Sequence, residues 1–447
     1  MQEEKDIIEK AAEIPISAVK TTVKVEEEGA KLIGNAVFYP IRKRRSIKDF
    51  FWRSKSGIIT GSADNDPSGI VTYTQTGAVA GYNLLWMILI AWPMLTATEE
   101  ISARIGIITK KGLNTLIREN YGSFWAYLLI TAVIFCNIFT MGADIAAMSD
   151  VAAVLTGWSE IFFVLLFGGL FFLLLWKKGY KEVSRYLFLL TPIFLLYIVS
   201  AFMLPVPWGH ALKNTILPDF QSLNFSMMMI AVAFLGTTIT PALLYWETSQ
   251  EIEEKIDIKK LKKESRGVAV GMFFSQFITF FIIVAAAAVF AGQNRIIETA
   301  REAALALKPL GSLSFSLFAI GILCAGFLSI PVISASTGYT FAETFNLSKG
   351  LDKTVHQARG FYVVMGLSLL IGVIIALVKF NPILALLYSQ VATGLICPLL
   401  LIFLILISNN KKIMGIHTNR FWSNFFGIMA ILVMMGTDIA LIIDWIK

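Results

Sequence analysis

This sequence is short of charge, histidine and cysteine, and each shortage excludes something. Asp, Glu, Lys and Arg together make up 15% of the 447 residues, against about 25% in soluble domains. The three histidines, His210, His356 and His417, fall outside every long apolar run. That leaves no imidazole relay at membrane depth and no buried base for a serine-type intramembrane protease. Cys136, Cys324 and Cys397 lie far apart in apolar stretches, so neither a disulfide framework nor a Cys-x-x-Cys metal site is expected. The thiols read as small buried hydrophobes. Met1–Glu28 is charged and has no apolar core, so no cleavable signal peptide is expected there. The net charge of +7 comes with no basic face on a soluble module, and nucleic acid is not an expected partner.

What the chain has is hydrophobicity: 56% of residues are hydrophobic and the mean hydropathy is +0.70. A helix needs about 20 apolar residues to cross the hydrocarbon core. Runs of that length predict eleven spans, at roughly 57–82, 84–108, 122–144, 159–177, 185–206, 226–250, 266–291, 311–343, 360–379, 382–408 and 421–444. The expected fold class is an all-α polytopic membrane protein. Residues 56–447 form the membrane domain and residues 1–55 a cytosolic tail, with a loosely amphipathic Asp6–Val25 and a basic flank from Arg42 to Lys55. A solvated tail and a helix lying on anionic lipid are both open readings of that stretch. Alternating the spans from a cytosolic N-terminus puts only six of the 38 Lys and Arg outside, namely Lys213, Arg295, Arg301, Lys308, Lys379 and Lys447. The positive-inside rule therefore supports this orientation, with the C-terminus extracytosolic and the bilayer most simply a prokaryotic plasma membrane.

One stretch breaks the first span: Gly61-Ser-Ala-Asp64-Asn65-Asp66-Pro67-Ser68-Gly69. A carboxylate at membrane depth costs roughly 3 kcal/mol or more, so it faces a cavity, a partner or an ion. Pro67 removes a backbone donor and the flanking glycines weaken the helix. A broken helix leaves carbonyls that survive in a bilayer only where they line a cavity or bind something. Aspartates beside freed carbonyls make an oxygen-rich cation site. Span six carries a second break, Gly236-Thr237-Thr238-Ile239-Thr240-Pro241. Five spans separate the two breaks, so the broken helices run in opposite directions. This is the pattern of two inverted five-helix repeats with substrate held at the midplane.

Asp66-Pro-Ser-Gly69, Gly77-Ala-Val-Ala-Gly-Tyr-Asn-Leu-Leu-Trp86 and Ala103-Arg-Ile-Gly106 resemble the first two helices of the Nramp divalent-metal transporters. Asp144-Ile-Ala146 and Thr240-Pro241 with Leu244-Tyr245 extend the resemblance, which covers roughly residues 50 to 445. It implies a LeuT-like 5+5 inverted repeat with an eleventh helix, helices 1 and 6 broken at the midplane, and uptake of divalent metal. The departures bear on which metal. The family's Asp-Pro-Gly-Asn motif ends here in Gly69, and its metal-ligating methionine before the proline is here Thr240. The alanine whose carbonyl binds metal corresponds to Thr237, the histidine after the proline to Ala242, and a second acid in span three to Ala147. The altered motif resembles the Nramp-related magnesium transporter branch.

Thioether ligands select softer transition metals. With Thr240 in that position the expected donors are hard: Asp66, carbonyls near Asp66 and Thr237, and hydroxyls. Mg²⁺ keeps several waters and suits an oxygen-only pocket with one or two carboxylates, and Gly69 and Ala242 would leave room for them. Mn²⁺ should also pass. Asn65, Ser68 and Gln390 are further candidates, a helix–helix hydrogen bond being the structural alternative for Gln390. Asp64 stands as either a second ligand or an outer attractor. No cofactor beyond the transported Mg²⁺ or Mn²⁺ is expected. With Ala242 and Ala147 in place of titratable groups, transport is expected to be uncoupled from protons. Asp144, Glu99, Glu100 and Glu247 remain as acids; for the first three, pairing with Arg104 or lining aqueous vestibules is the structural account. Proton-coupled Mn²⁺/Fe²⁺ uptake is the rival within the class. A LeuT-fold amino-acid carrier is the rival outside it, although Asp66 would repel a substrate carboxylate. No enzyme is expected: an aspartyl intramembrane protease would have to pair Asp66 with Asp144 or Asp438 and lacks its signature motif.

Overall fold

Pro67 opens the first described helix because its ring fixes a helical φ and its missing N–H would have had no partner in a first turn. The computed structural model describes residues 61, 65–177, 191–218, 224–290, 296–378 and 380–446. Residues 1–55 and Asp64 lie outside them.

The elements run α1 Pro67–Ala80, α2 Trp86–Thr109, α3 Leu113–Tyr121, α4 Ser123–Thr156, α5 Glu160–Lys177, α6 Leu195–Met203 and α7 Trp208–Ile216. Then follow α8 Phe225–Thr238, α9 Pro241–Glu253, α10 Leu261–Phe290, α11 Ser314–Thr344, α12 Arg359–Leu377, α13 Pro382–Asn409 and α14 Phe421–Ile446. Each of the eleven expected spans carries helix. Seven helices among the described residues are long and apolar enough to cross a membrane by length and composition, counting α8 and α9 together.

The sequence misplaced one boundary by several turns. Span three was expected to end at Asp144, but α4 runs on to Thr156 and stops at Gly157, whose φ of 76° suits the left-handed cap. Asp144 does not end the helix because its carboxylate is buried and hydrogen-bonded inside the bundle. Two short helices were read as connections. One is α3; the other is α7, which folds back at 118° to the helix before it.

Both expected breaks are present. Gly61 is helical, while Asp66 is extended (φ −70°, ψ 173°) and caps α1 through a hydrogen bond from the Gly69 N–H. Helix α8 stops at Thr238, Ile239 and Thr240 are non-helical, and α9 restarts at Pro241. Pro241 has no N–H to offer the Thr237 carbonyl, so that carbonyl is freed from the helix ladder. The two broken segments are tied together where Tyr73 of α1 lies 3.3 Å from Thr238 Oγ1 and packs edge-on against Phe234.

Packing separates two groups of helices. α1 lies against α8 and α10, and α2 against α9 and α10; in the second group α4 packs with α5, α11 and α12. α13 bridges them, touching α8 on one side and α4 on the other. Lipid adds no hydrophobic drive between helices, so close backbone approach supplies the adhesion. Gly236 supplies it between α8 and α13: a Cβ there would stand 2.6 Å from Gly394 N.

Candidate metal-binding site

Between these groups, beside both breaks, lies a cavity of about 20 Å³, enough for one ordered water and little more. Among the described residues Asp66 supplies its only carboxylate. Thr237 and Thr240 line it from the second break, Asn137 and Thr140 from α4, Ser329 from α11, and Gln390 and Thr393 from α13. Ala242, Leu243, Val332 and Ile333 complete the wall. Every polar group in this lining is an oxygen donor or an amide; among the described residues there is no thioether, thiol or imidazole. Among the described residues no three His, Cys, Asp or Glu side chains gather round one point, so a cation here would rely on carbonyls, hydroxyls and water besides Asp66.

The other expected residues are placed differently. Asn65 is buried, but its amide nitrogen donates to the Gly61 carbonyl (3.2 Å) and to Ser275 Oγ (3.3 Å), and its Oδ1 accepts from Thr279 (3.5 Å). The side chain therefore satisfies a carbonyl beside the break and holds α10, turned away from the cavity. Ser68 donates 2.7 Å to Asp144 Oδ1 and also does not line the cavity. Gly69 offers its N–H to Asp66 Oδ1, which spends one face of that carboxylate on the helix start. Gln390 does reach the cavity, with its amide nitrogen 3.3 Å from Ser389 Oγ.

Asp144 is fully buried and takes a second hydrogen bond from Ser329 (3.4 Å). It is thus not paired with Arg104, whose Nη2 instead donates 2.5 Å to Asn419 Oδ1. Of the other acids, Glu100 accepts from Ser265 (3.2 Å), while Glu99 and Glu247 are buried in α2 and α9. Gly69 and Ala242 were expected to leave room for water. Gly69 does not border the cavity, and Ala242 leaves space for little more than one water in this conformation.

Asn137, Thr140, Ser329 and Thr393 were not singled out from sequence. A signal for two of them existed: Asn137, Thr140 and Asp144 are spaced three and four apart, which puts them on one helix face. With the lining assigned, comparison with known proteins becomes informative. The family described as natural resistance-associated macrophage protein-like, Nramp, matches residues 57–444. The chain belongs to the Nramp family.

Its similarity to curated Nramp relatives is distant but nearly end to end. The divalent metal cation transporter MntH of Caldanaerobacter subterraneus subsp. tengcongensis is 28% identical over 388 residues, covering 82% of this chain and 87% of the relative. That of Verminephrobacter eiseniae is 26% identical over 406 residues, covering 87% and 88%. Among solved structures, the manganese transporter of Eremococcus coleocola superposes with a TM-score of 0.71 at 17% identity, over 88% of this chain and 94% of that one. MhsT, solved with L-phenylalanine, gives 0.57 at 15% identity, over 88% and 97%. These two share the fold: the LeuT-like architecture expected from the paired breaks is the one this Nramp chain adopts.

Proposed function

We propose that this Nramp protein transports divalent metal ions, Mg²⁺ foremost and Mn²⁺ with it, and does so without moving protons. The observation that carries this reading is the described lining, where one carboxylate, Asp66, stands among hydroxyl and amide oxygens and, among the described residues, no sulfur or imidazole. Hard oxygen donors suit Mg²⁺ and Mn²⁺ and give no advantage to softer ions. In this reading Asp66 holds the ion by charge, Thr237 through its freed carbonyl, and Thr240 and Gln390 through side-chain oxygens. At most about one water completes the shell. Asn65, Ser68 and Gly69 support Asp66 and do not touch the ion. Relatives named as divalent metal cation transporters support the class of substrate. The likeness to MhsT extends to the fold and not to an amino-acid substrate, because Asp66 would repel a carboxylate in the cavity.

The experiment is ion competition in proteoliposomes, Mg²⁺ against Mn²⁺ and Ca²⁺, with Asp66→Ala beside the wild type. Uptake of Mg²⁺ and Mn²⁺ that disappears in Asp66→Ala is expected; uptake that survives would sink the assignment. Proton-coupled Mn²⁺ uptake is the second reading, and Asp144 favours it, since Ser68 links this buried acid to the half-helix that carries Asp66. A pH dye in the lumen separates the two. No acidification should accompany metal entry; acidification in step with it would establish coupling.

A further inference from the structure

The Ala103-Arg-Ile-Gly106 stretch of α2 holds a cation that the metal site does not use. Arg104 is only 7% exposed. A guanidinium offers five N–H donors, yet this one makes a single hydrogen bond among the described residues, to the neutral Oδ1 of Asn419 at 2.5 Å. Its Nε is buried without an acceptor, and no described carboxylate forms an ion pair with it. Glu100, one turn earlier on the same helix, accepts from Ser265 of α10 instead. A buried charge matched this poorly is costly until a counter-charge reaches it.

The surroundings of Arg104 are firmly built, and they are basic. Asn419 lies in the connection between α13 and α14, and its amide nitrogen donates to Ser408 Oγ and Asn424 Oδ1, both at 2.8 Å. Asn409 and Asn424 exchange two more bonds, of 2.7 and 2.9 Å. These bonds hold the end of α13, the connection and the start of α14 as one unit, which packs on α2. The connection carries Lys411, Lys412 and Arg420, all exposed. No Asp or Glu falls between Asp352 and Asp438, so the unit brings no counter-charge of its own. Ile416, Phe421 and Trp422 are exposed beside the basic residues, with Trp422 stacked on Phe426. Basic and aromatic side chains together at the end of a span mark the level of the lipid headgroups.

We propose that Arg104, Lys411, Lys412 and Arg420 bind the phosphate of an anionic membrane lipid, which supplies the counter-charge Arg104 lacks and ties α2 to the α13–α14 connection. Exposed Arg420, next to Asn419 in sequence, marks the approach to Arg104. A phosphodiester presents two oxygens that a guanidinium can hold with paired N–H bonds, and basic pockets between spans suit such headgroups. Free phosphate would satisfy Arg104 equally but gains nothing from Ile416, Phe421 and Trp422, against which a lipid lays its apolar part.

The test titrates phosphatidylglycerol, phosphatidylcholine and inorganic phosphate separately into the full chain in detergent. Thermal unfolding and lipid retained in native mass spectrometry are read together. Phosphatidylglycerol should raise the melting temperature and stay bound; phosphatidylcholine, whose choline cancels the charge, and inorganic phosphate should do neither. Each basic residue at a headgroup contributes about fivefold in affinity, so Lys412→Gln and Arg420→Gln combined should weaken retention of phosphatidylglycerol about 25-fold. Arg104→Gln removes the charge that needs the lipid. With phosphatidylcholine it should melt no lower than wild type, and phosphatidylglycerol should add nothing. Arg104→Gln destabilised equally in both lipids would overturn the proposal, because Arg104 would then serve only its bond to Asn419. Equal gains from the two lipids, or full retention of phosphatidylglycerol by the double variant, would overturn it too, and the double variant decides if Arg104→Gln fails to fold. A gain from inorganic phosphate as large as that from lipid would overturn the lipid as the occupant. None of these outcomes bears on Asp66, since these residues stand outside the metal-site lining.

Discussion

Asp66 has two duties that different substitutions separate. One oxygen caps α1 through the Gly69 N–H, and the carboxylate borders the cavity. Asparagine caps a helix about as well as aspartate, while alanine forfeits about 1 kcal/mol. Asp66→Asn should therefore unfold thermally close to wild type and still fail to bind Mn²⁺, whereas Asp66→Ala should lose both binding and part of its stability. Comparing melting curves with calorimetry checks the pair; Mn²⁺ binding in Asp66→Asn would show that charge is not what holds the ion. Thr240 gives a second prediction at this scale. It borders the cavity at the N-terminus of α9 and makes no side-chain cap, so its hydroxyl is free for a ligand. Thr240→Met should shift competition from Mg²⁺ toward Mn²⁺ and Cd²⁺, because a thioether favours softer ions. An unchanged preference order would remove Thr240 from the account of selectivity.

At the scale of helices, the meeting of α8 and α13 decides whether Thr237 and Gln390 face each other. Gly236 lets the two backbones touch, and an added methyl would press on backbone atoms of Gln390 and Gly394 that have nowhere to move. Gly236→Ala should cost about 1–3 kcal/mol, the usual scale of overpacking. It should also lower Mn²⁺ affinity although it removes no ligand, as calorimetry and thermal unfolding together would record. The same scale explains what sequence could and could not reveal. The breaks at Asp66 and Thr240 were legible because Pro and Gly write backbone geometry into local sequence. Gly81, with φ 58° at the end of α1, and Gly106, set close against the Thr248 backbone, give physical reasons for two glycines of the recognised motifs. Asn65 and Ser68 do not border the cavity, and sequence could not show it, because a motif gives neighbours in sequence and not the direction of a side chain. One turned to α10, the other to Asp144. Asn137 and Thr140 were passed over because an isolated polar residue in an apolar helix looks the same whether it faces a neighbour or a cavity.

Across the whole molecule, eleven spans would place the chain ends on opposite faces of the membrane, and the Lys and Arg distribution predicts an N-terminus inside. A cysteine-bearing tag after Lys447 should react with an impermeant thiol reagent on intact cells, and one before Met1 only after permeabilisation. Reversed labelling would overturn that orientation. The molecule is also fastened near both ends of its bundle. Gln75 of α1 exchanges two hydrogen bonds with the backbone of Ile297 (2.6 and 2.9 Å). At the far end of α9, Ser249 donates to Glu343 of α11, which also pairs with Lys349 at 2.7 Å. Movement of α9 against α11 would have to break the Ser249–Glu343 fastening.

The size of the cavity finally sets a clock. An ion that arrives with a full hydration shell finds space for little more than a single water, so most of that shell must be stripped before the ion settles and rebuilt when it departs. Water leaves Mg²⁺ reluctantly. Turnover of Mg²⁺ should accordingly climb more steeply with temperature than turnover of Mn²⁺, even if both ions bind with similar strength.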